Sequence, residues 1–160
     1  MTLTPHTLEA DVELLRTVPF FDGFADEHLK LIAFSAESRS LPERLLLFDE
    51  GQLLHSAYVI ATGTLKGEHR VKGTDKVVTR EIGPGSILGE RALILDTRAA
   101  ESVRVQTRSR VLQIRKLMFR KLLQDNLEIA RTLRTRMTRH VLRVAAEFDR
   151  IGERLKAIDG

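Results

Sequence analysis

The chain contains no cysteine in its 160 residues, so disulfides, thiolate zinc sites, cysteine-ligated iron–sulfur clusters and a cysteine nucleophile are excluded. It also lacks a long hydrophobic run. Hydrophobic residues reach 42% and charged residues 30%, interleaved as in an ordinary globular chain, and nothing reads as a membrane span. The opening residues hold no basic stretch leading into an apolar one, because charges recur at Glu9, Asp11 and Glu13; a cytoplasmic setting is expected. No Gly-x-Ser-x-Gly elbow, Walker loop or His-Glu-x-x-His helix occurs, and no carboxylate pair reads as an acid–base couple, so an enzyme is not expected. Closely spaced histidines are missing as well. His55 and His69 stand fourteen positions apart, which suits surface or turn roles better than a metal site. His6 and His28 read as surface residues, and His140 as a dimer contact rather than a haem ligand. There is no internal repeat or low-complexity tract.

What is present falls into three textures. Thr7 is placed to cap a helix in which Leu8, Val12 and Leu15 recur at helical spacing, predicting residues 8–16 ahead of Pro19. Leu29, Leu31, Ile32 and Phe34 predict a second short helix over Asp26–Ser35, after the turn at 19–23. From 37 to 114 short apolar or alternating runs are separated by glycine, proline and polar turns. Strands are read at Leu45–Phe48, Ala57–Ala61, Val77–Ile82, Ser102–Gln106 and Arg110–Ile114. Glycine and proline then vanish until Gly152, predicting a helix over 116–124 and a long one over 127–158. The expected fold class is α+β: an antiparallel β-roll, double-stranded and jelly-roll-like, at 37–114, with N-terminal short helices in 1–36 and C-terminal helices in 115–160.

The long helix has an apolar seam. Val141, Val144, Phe148, Ile151, Leu155 and Ile158 follow 3-4-3-4-3 spacing, the pattern that lets two helices bury knobs between them, and a homodimer through 141–158 is expected. The competing reading packs the same stripe on the helix's own β-roll. The net charge of +4 comes largely from the last third of the chain. Arg131, Arg134, Arg136, Arg139 and Arg143 share the helix with the seam and read as its solvated face, so direct DNA binding is not expected.

The segment Ile82-Gly83-Pro84-Gly85-Ser86-Ile87-Leu88-Gly89-Glu90-Arg91-Ala92-Leu93 joins a glycine turn, a short strand and a helical restart. Unsatisfied N–H groups at such a restart suit an anion, and Gly89 lets it approach without a Cβ in the way. Arg98, eight positions after Glu90, offers a planar fork to phosphate oxygens. Glu90 suits a sugar hydroxyl, or balances Arg98. Residue chemistry alone stops at an anion site, with solvated loop charges as the plainer alternative.

Taken in order, the pieces make a pattern: Pro19-Phe20-Phe21, Phe48-Asp49-Glu50-Gly51, Tyr58-Val59-Ile60-Ala61-Thr62-Gly63, Gly83-Pro84-Gly85, Gly89-Glu90 with Ala92-Leu93, and Arg98-Ala99-Ala100. This ordered set resembles the cyclic-nucleotide-binding domain family, which includes the catabolite activator proteins and the protein kinase A regulatory subunits. The resemblance implies a β-roll flanked by helices, Arg98 on the cyclic phosphate, Glu90 on the ribose 2′-OH, and backbone groups of Gly89 and Ala99 completing the cradle. Arg91, Ala92 and Ala100 fall in the same cassette, Arg91 either packing outward, pairing with a nearby carboxylate or adding charge at the phosphate. Alanine directly after the arginine goes with cyclic AMP in kinase-type members, so Ala99 favours cyclic AMP, with cyclic GMP second. Alignment with the catabolite-activator long helix puts Val144 and Ala145 next to the base.

The resemblance thus implies a non-enzymatic regulatory module, without cofactor, that relays cyclic AMP occupancy through its C-terminal helices to a dimer or an unidentified effector protein. The helix-turn-helix reader of catabolite-activator relatives is not expected here. The interval between Glu90 and Arg98 is shorter than is usual in the family and lacks the proline that commonly precedes the arginine, which keeps two alternatives open. One is a dimerisation or scaffold protein with a degenerate pocket; the other is a binder of a variant ligand such as a cyclic dinucleotide. The similar cupin barrel is set aside, because its metalloenzymes need histidine spacings absent here.

Overall fold

The computed structural model describes residues 7–135. The chain divides into two compact units, Met1–Leu122 and Leu123–Gly160. The first holds both N-terminal helices and all the described strands. Helix α1 spans Leu8–Arg16, and Thr7 caps it by accepting the Ala10 N–H at 3.1 Å. Glu9 and Asp11 in the first turn and Arg16 in the last complement the helix dipole. Val12 and Leu15 are buried, as the spacing predicts. Pro19 opens a 3₁₀ turn, Pro19–Phe21, and α2 follows at Asp26–Ser35 with Leu29, Ile32 and Ala33 inward. Leu31 and Phe34 of the predicted apolar set are exposed.

Eight strands make two four-stranded antiparallel sheets. They are β1 (Glu37–Leu41), β2 (Leu46–Phe48), β3 (Ser56–Thr62), β4 (Leu65–Arg70), β5 (Val77–Ile82), β6 (Ile87–Leu88), β7 (Ser102–Val105) and β8 (Ser109–Arg115). One sheet runs β1-β8-β3-β6 and the other β2-β7-β4-β5, the α+β roll that the sequence predicts. Their facing sides share a core that includes Leu41, Phe48, Ile60, Leu65, Ile82, Val103, Val105 and Val111. The alternation in the sequence does not single out β1 or β4, because each has few inward apolar residues. They are strands because neighbours pair with them, β1 along β8 and β4 between β5 and β7.

Helix α3 occupies Lys116–Asp125 and buries Phe119 completely. Phe119 meets Phe20 with ring centroids 6.5 Å apart; full burial of such a side chain contributes about 1.5–3 kcal/mol. In the second unit, residues 127–135 are helical, with Ile129 and Leu133 buried. The seam at 141–158, His140 and the base-proximal pair Val144 and Ala145 lie outside the described residues, as does His6. No described helix is long and apolar enough to cross a membrane.

Candidate functional site

The predicted helical restart is a single 3₁₀ turn, Glu90–Leu93, capped by Gly89 in the left-handed region at φ 74°. The turn tightens because its closing bonds are short-range: Ala92 N–H donates to Gly89 O and Ile94 N–H to Arg91 O. A Cβ on Gly89 would stand 2.9 Å from the Ser56 carbonyl oxygen. Glycine therefore serves both the dihedral angle and the close approach to β3. Ala92 and Leu93 are fully buried and hold the turn down, Glu90 is half-buried, and Arg91 is exposed.

The second half of the cassette is laid against the segment after β2. Gly51 N–H donates to Ala99 O and Ala99 N–H to Gln52 O, both at 2.8 Å, and Leu54 N–H reaches Thr97 O at 2.9 Å. Leu53 and Arg98 form a bridge between the two segments. Just beyond, Glu50 N–H donates to Ser102 Oγ, whose hydroxyl donates to Asp49 Oδ1 at 2.6 Å. Phe48-Asp49-Glu50-Gly51 and Arg98-Ala99-Ala100, far apart in sequence, are thus one piece of structure. Glu50 also holds His69, with Nδ1 and Oε1 2.6 Å apart, so His69 has a surface hydrogen-bonding role. His55 is exposed and His28 half-buried. Among the described residues no cluster could hold a metal ion.

Arg98 and Ala99 point to opposite sides of this ladder. Ala99 is buried in the core, whereas Arg98 is exposed and its Nη1 donates to the Gly51 carbonyl at 3.0 Å. Gly89, Glu90 and Ala92 lie on one turn; the Arg98 guanidinium is directed to Gly51 rather than Glu90, and the Ala99 N–H is engaged by the Gln52 carbonyl. Ala100 is exposed beside them.

A charged cluster that sequence reasoning missed lies on β5 and just before β7. Arg80 Nε donates to both carboxylate oxygens of Glu101, at 2.9 and 3.0 Å, and its Nη2 also bonds to Oε1. Arg80 faces Gly67 across the β4–β5 pair, and a Cβ on Gly67 would come within 2.7 Å of the Glu101 Cδ. The bare Gly67 is what gives this carboxylate its place. The hydrogen bond to Glu101 holds the Arg80 guanidinium above its ordinary pKa, and the charge of Glu90 adds to this. The one signal in the sequence was parity, since Arg80 shares a strand face with the buried Ile82.

The loop between the halves of the cassette is tied to α3. Asp96 pairs with the ammonium of Lys116, the first residue of α3, whose N–H also donates to His55 O at 2.9 Å. The Lys116 side chain is only 10% exposed. Asp96 is held below the usual carboxylate range by its hydrogen bond to Lys116 first, then by the charges of Lys116, Arg120 and His55.

The sequence profile of the cyclic nucleotide-binding domain family matches residues 38–126, which take in the β-roll strands and the glycine-capped turn. The chain belongs to that family. A solved cyclic nucleotide-binding-like protein from Brucella abortus is 39% identical, with a TM-score of 0.64, over 71% of this chain and 97% of that one. The N-terminal domain of a transcriptional regulator from Streptomyces coelicolor is 20% identical at a TM-score of 0.77, over 84% and 94%. The regulatory domain of Toxoplasma gondii PKA, solved with cAMP, is 18% identical at 0.64, over 78% and 49%. No curated protein matches the chain.

Proposed function

We propose that this cyclic nucleotide-binding domain senses cyclic AMP and passes its occupancy to α3 and the helix that follows. In this reading Gly89 and Glu90 take the ribose, and the phosphate lies toward Arg98, Ala99 and Ala100, with Arg91 and Ala92 completing the turn. The observation behind the relay is the Asp96–Lys116 pair, which joins the loop inside the cassette to the first residue of α3. A ligand that prefers one arrangement of that loop shifts the population of helix arrangements by its differential affinity. Support for the nucleotide comes from the Toxoplasma relative, solved with cAMP, and from alanine at position 99. The apolar spacing of Val141 to Ile158 supports a homodimer as the receiver of the signal or the platform for an effector protein, and the family resemblance assigns Val144 and Ala145 to the base.

One observation favours a second reading, a scaffold with a degenerate pocket: the Arg98 guanidinium is directed to Gly51. Thermal melting with cyclic AMP, cyclic GMP and a cyclic dinucleotide separates the two, because only a binder of the folded state raises the melting temperature. Cyclic AMP sensing predicts the largest rise with cyclic AMP. No rise with any of the three, together with a dimer that Phe148→Asp dissociates, means the scaffold.

A further inference from the structure

The charge around the cassette does not add up to an empty phosphate site. Glu101 directly follows Arg98-Ala99-Ala100 and is forked onto the guanidinium of Arg80, on which the charge of Glu90 also acts, while Arg98 is exposed with its Nη1 on Gly51. A cyclic phosphodiester, itself an anion, would meet two negative groups and one positive group already occupied. The occupant is well placed: Glu101 is 18% exposed at its side chain, forks onto Arg80, and fills the space above Gly67. Arg80 is more than half exposed on an edge strand, so an incoming ligand reaches it without unfolding the sheet. A planar guanidinium holds a carboxylate and a phosphate by the same fork.

We propose that Arg80 is the guanidinium that reads the ligand's phosphate, and that Glu101 is a built-in counter-anion which the phosphate displaces. The inference rests on the cyclic nucleotide reading above, moves its phosphate contact from Arg98, whose Nη1 is on Gly51, to Arg80, and adds a specificity device. Only an anion that outcompetes the tethered carboxylate gains Arg80, so neutral nucleosides are rejected and affinity is held down by a competitor inside the chain. Glu90 stays with the ribose.

The test is calorimetric titration of the full chain with cyclic AMP, comparing wild type with Glu101→Gln, Arg80→Gln and Arg98→Gln. Glutamine at 101 keeps the shape and loses the charge, and is expected to tighten binding at least about fivefold, the effect of removing roughly one kcal/mol of competition. Arg80→Gln is expected to weaken binding about tenfold or more, and Arg98→Gln less than about threefold. If Arg80→Gln fails to fold, Arg80→Lys replaces it; a lysine keeps the charge without the fork and is expected to weaken binding about tenfold as well. Wild-type binding that neither Glu101→Gln nor the Arg80 variants change overturns the inference and leaves the nucleotide reading standing. Loss of binding in Arg98→Gln with Arg80→Gln intact does the same. A wild type that gives no heat while Glu101→Gln binds supports the inference, whereas no heat from either overturns both readings.

Discussion

The nearly buried ammonium of Lys116 is paired with the exposed carboxylate of Asp96, so the first residue of α3 is held by the loop that joins the two halves of the nucleotide cassette. No other described ion pair joins that loop to α3. If the link passes the signal, Asp96→Asn leaves cyclic AMP affinity within about threefold of wild type, because the proposed pose assigns Asp96 no contact with ribose or phosphate and its carboxylate is engaged by Lys116. The same change removes the ligand-dependent difference in amide exchange along α3. Hydrogen exchange with and without cyclic AMP checks this, and an undiminished difference in the variant places the relay elsewhere.

Two carboxyls give the domain a defined acid response. Asp96 is depressed by its hydrogen bond to Lys116, and Glu37 by its hydrogen bond to Arg115 and then by the charge of Arg115. With a lower pKa in the folded chain, the unfolded chain takes up more protons as pH falls through the ordinary carboxylate range. Their stabilisation is therefore complete above about pH 5 and drains away below about pH 4. Urea midpoints between pH 7 and pH 3 should fall more steeply for wild type than for the Asp96→Asn, Glu37→Gln double variant. High salt should narrow the gap, since both carboxylates are exposed.

Gly89 and Gly51 separate crowding from backbone strain. Both have positive φ, 74° and 84°, but a Cβ at Gly89 meets the Ser56 carbonyl at 2.9 Å whereas one at Gly51 meets nothing within 4 Å. Gly51→Ala is expected to cost about 1–2 kcal/mol, the strain of a left-handed L-residue. Gly89→Ala adds a backbone clash and is expected to exceed that by about 1 kcal/mol or more, with cyclic AMP binding lost. Denaturant unfolding of both variants measures the difference; equal costs mean that β3 yields.

Much of the fold was legible because local pattern and tertiary role agree. Thr7 caps the helix it was expected to cap, and Val77–Ile82 is a strand with the predicted ends. Strand β4 was not legible, since Lys66, Gly67, Glu68, His69 and Arg70 follow one buried apolar residue and the segment is extended only because β5 and β7 flank it. The Gly89–Glu90 turn could be read from the sequence because it is local. The surroundings of Arg98 and Arg80 could not. Which face Arg98 takes is set by the ladder of residues 51–54 against 97–99, and the Arg80–Glu101 pair exists because Gly67, on another strand, leaves room for a carboxylate. Both depend on pairings between distant segments, which spacing along the chain does not encode.

The central claim is that this domain binds a cyclic nucleotide through the Gly89–Glu90 cassette. Titration calorimetry of protein stripped of bound nucleotide, with cyclic AMP and cyclic GMP in turn and Glu90→Ala beside wild type, tests it most directly. The account predicts saturable heat with cyclic AMP, weaker binding of cyclic GMP, and about tenfold or greater loss of affinity in Glu90→Ala, a ribose hydrogen bond to a charged group being worth about 1.5–3 kcal/mol. No heat with either nucleotide, or binding that Glu90→Ala leaves unchanged, would contradict it.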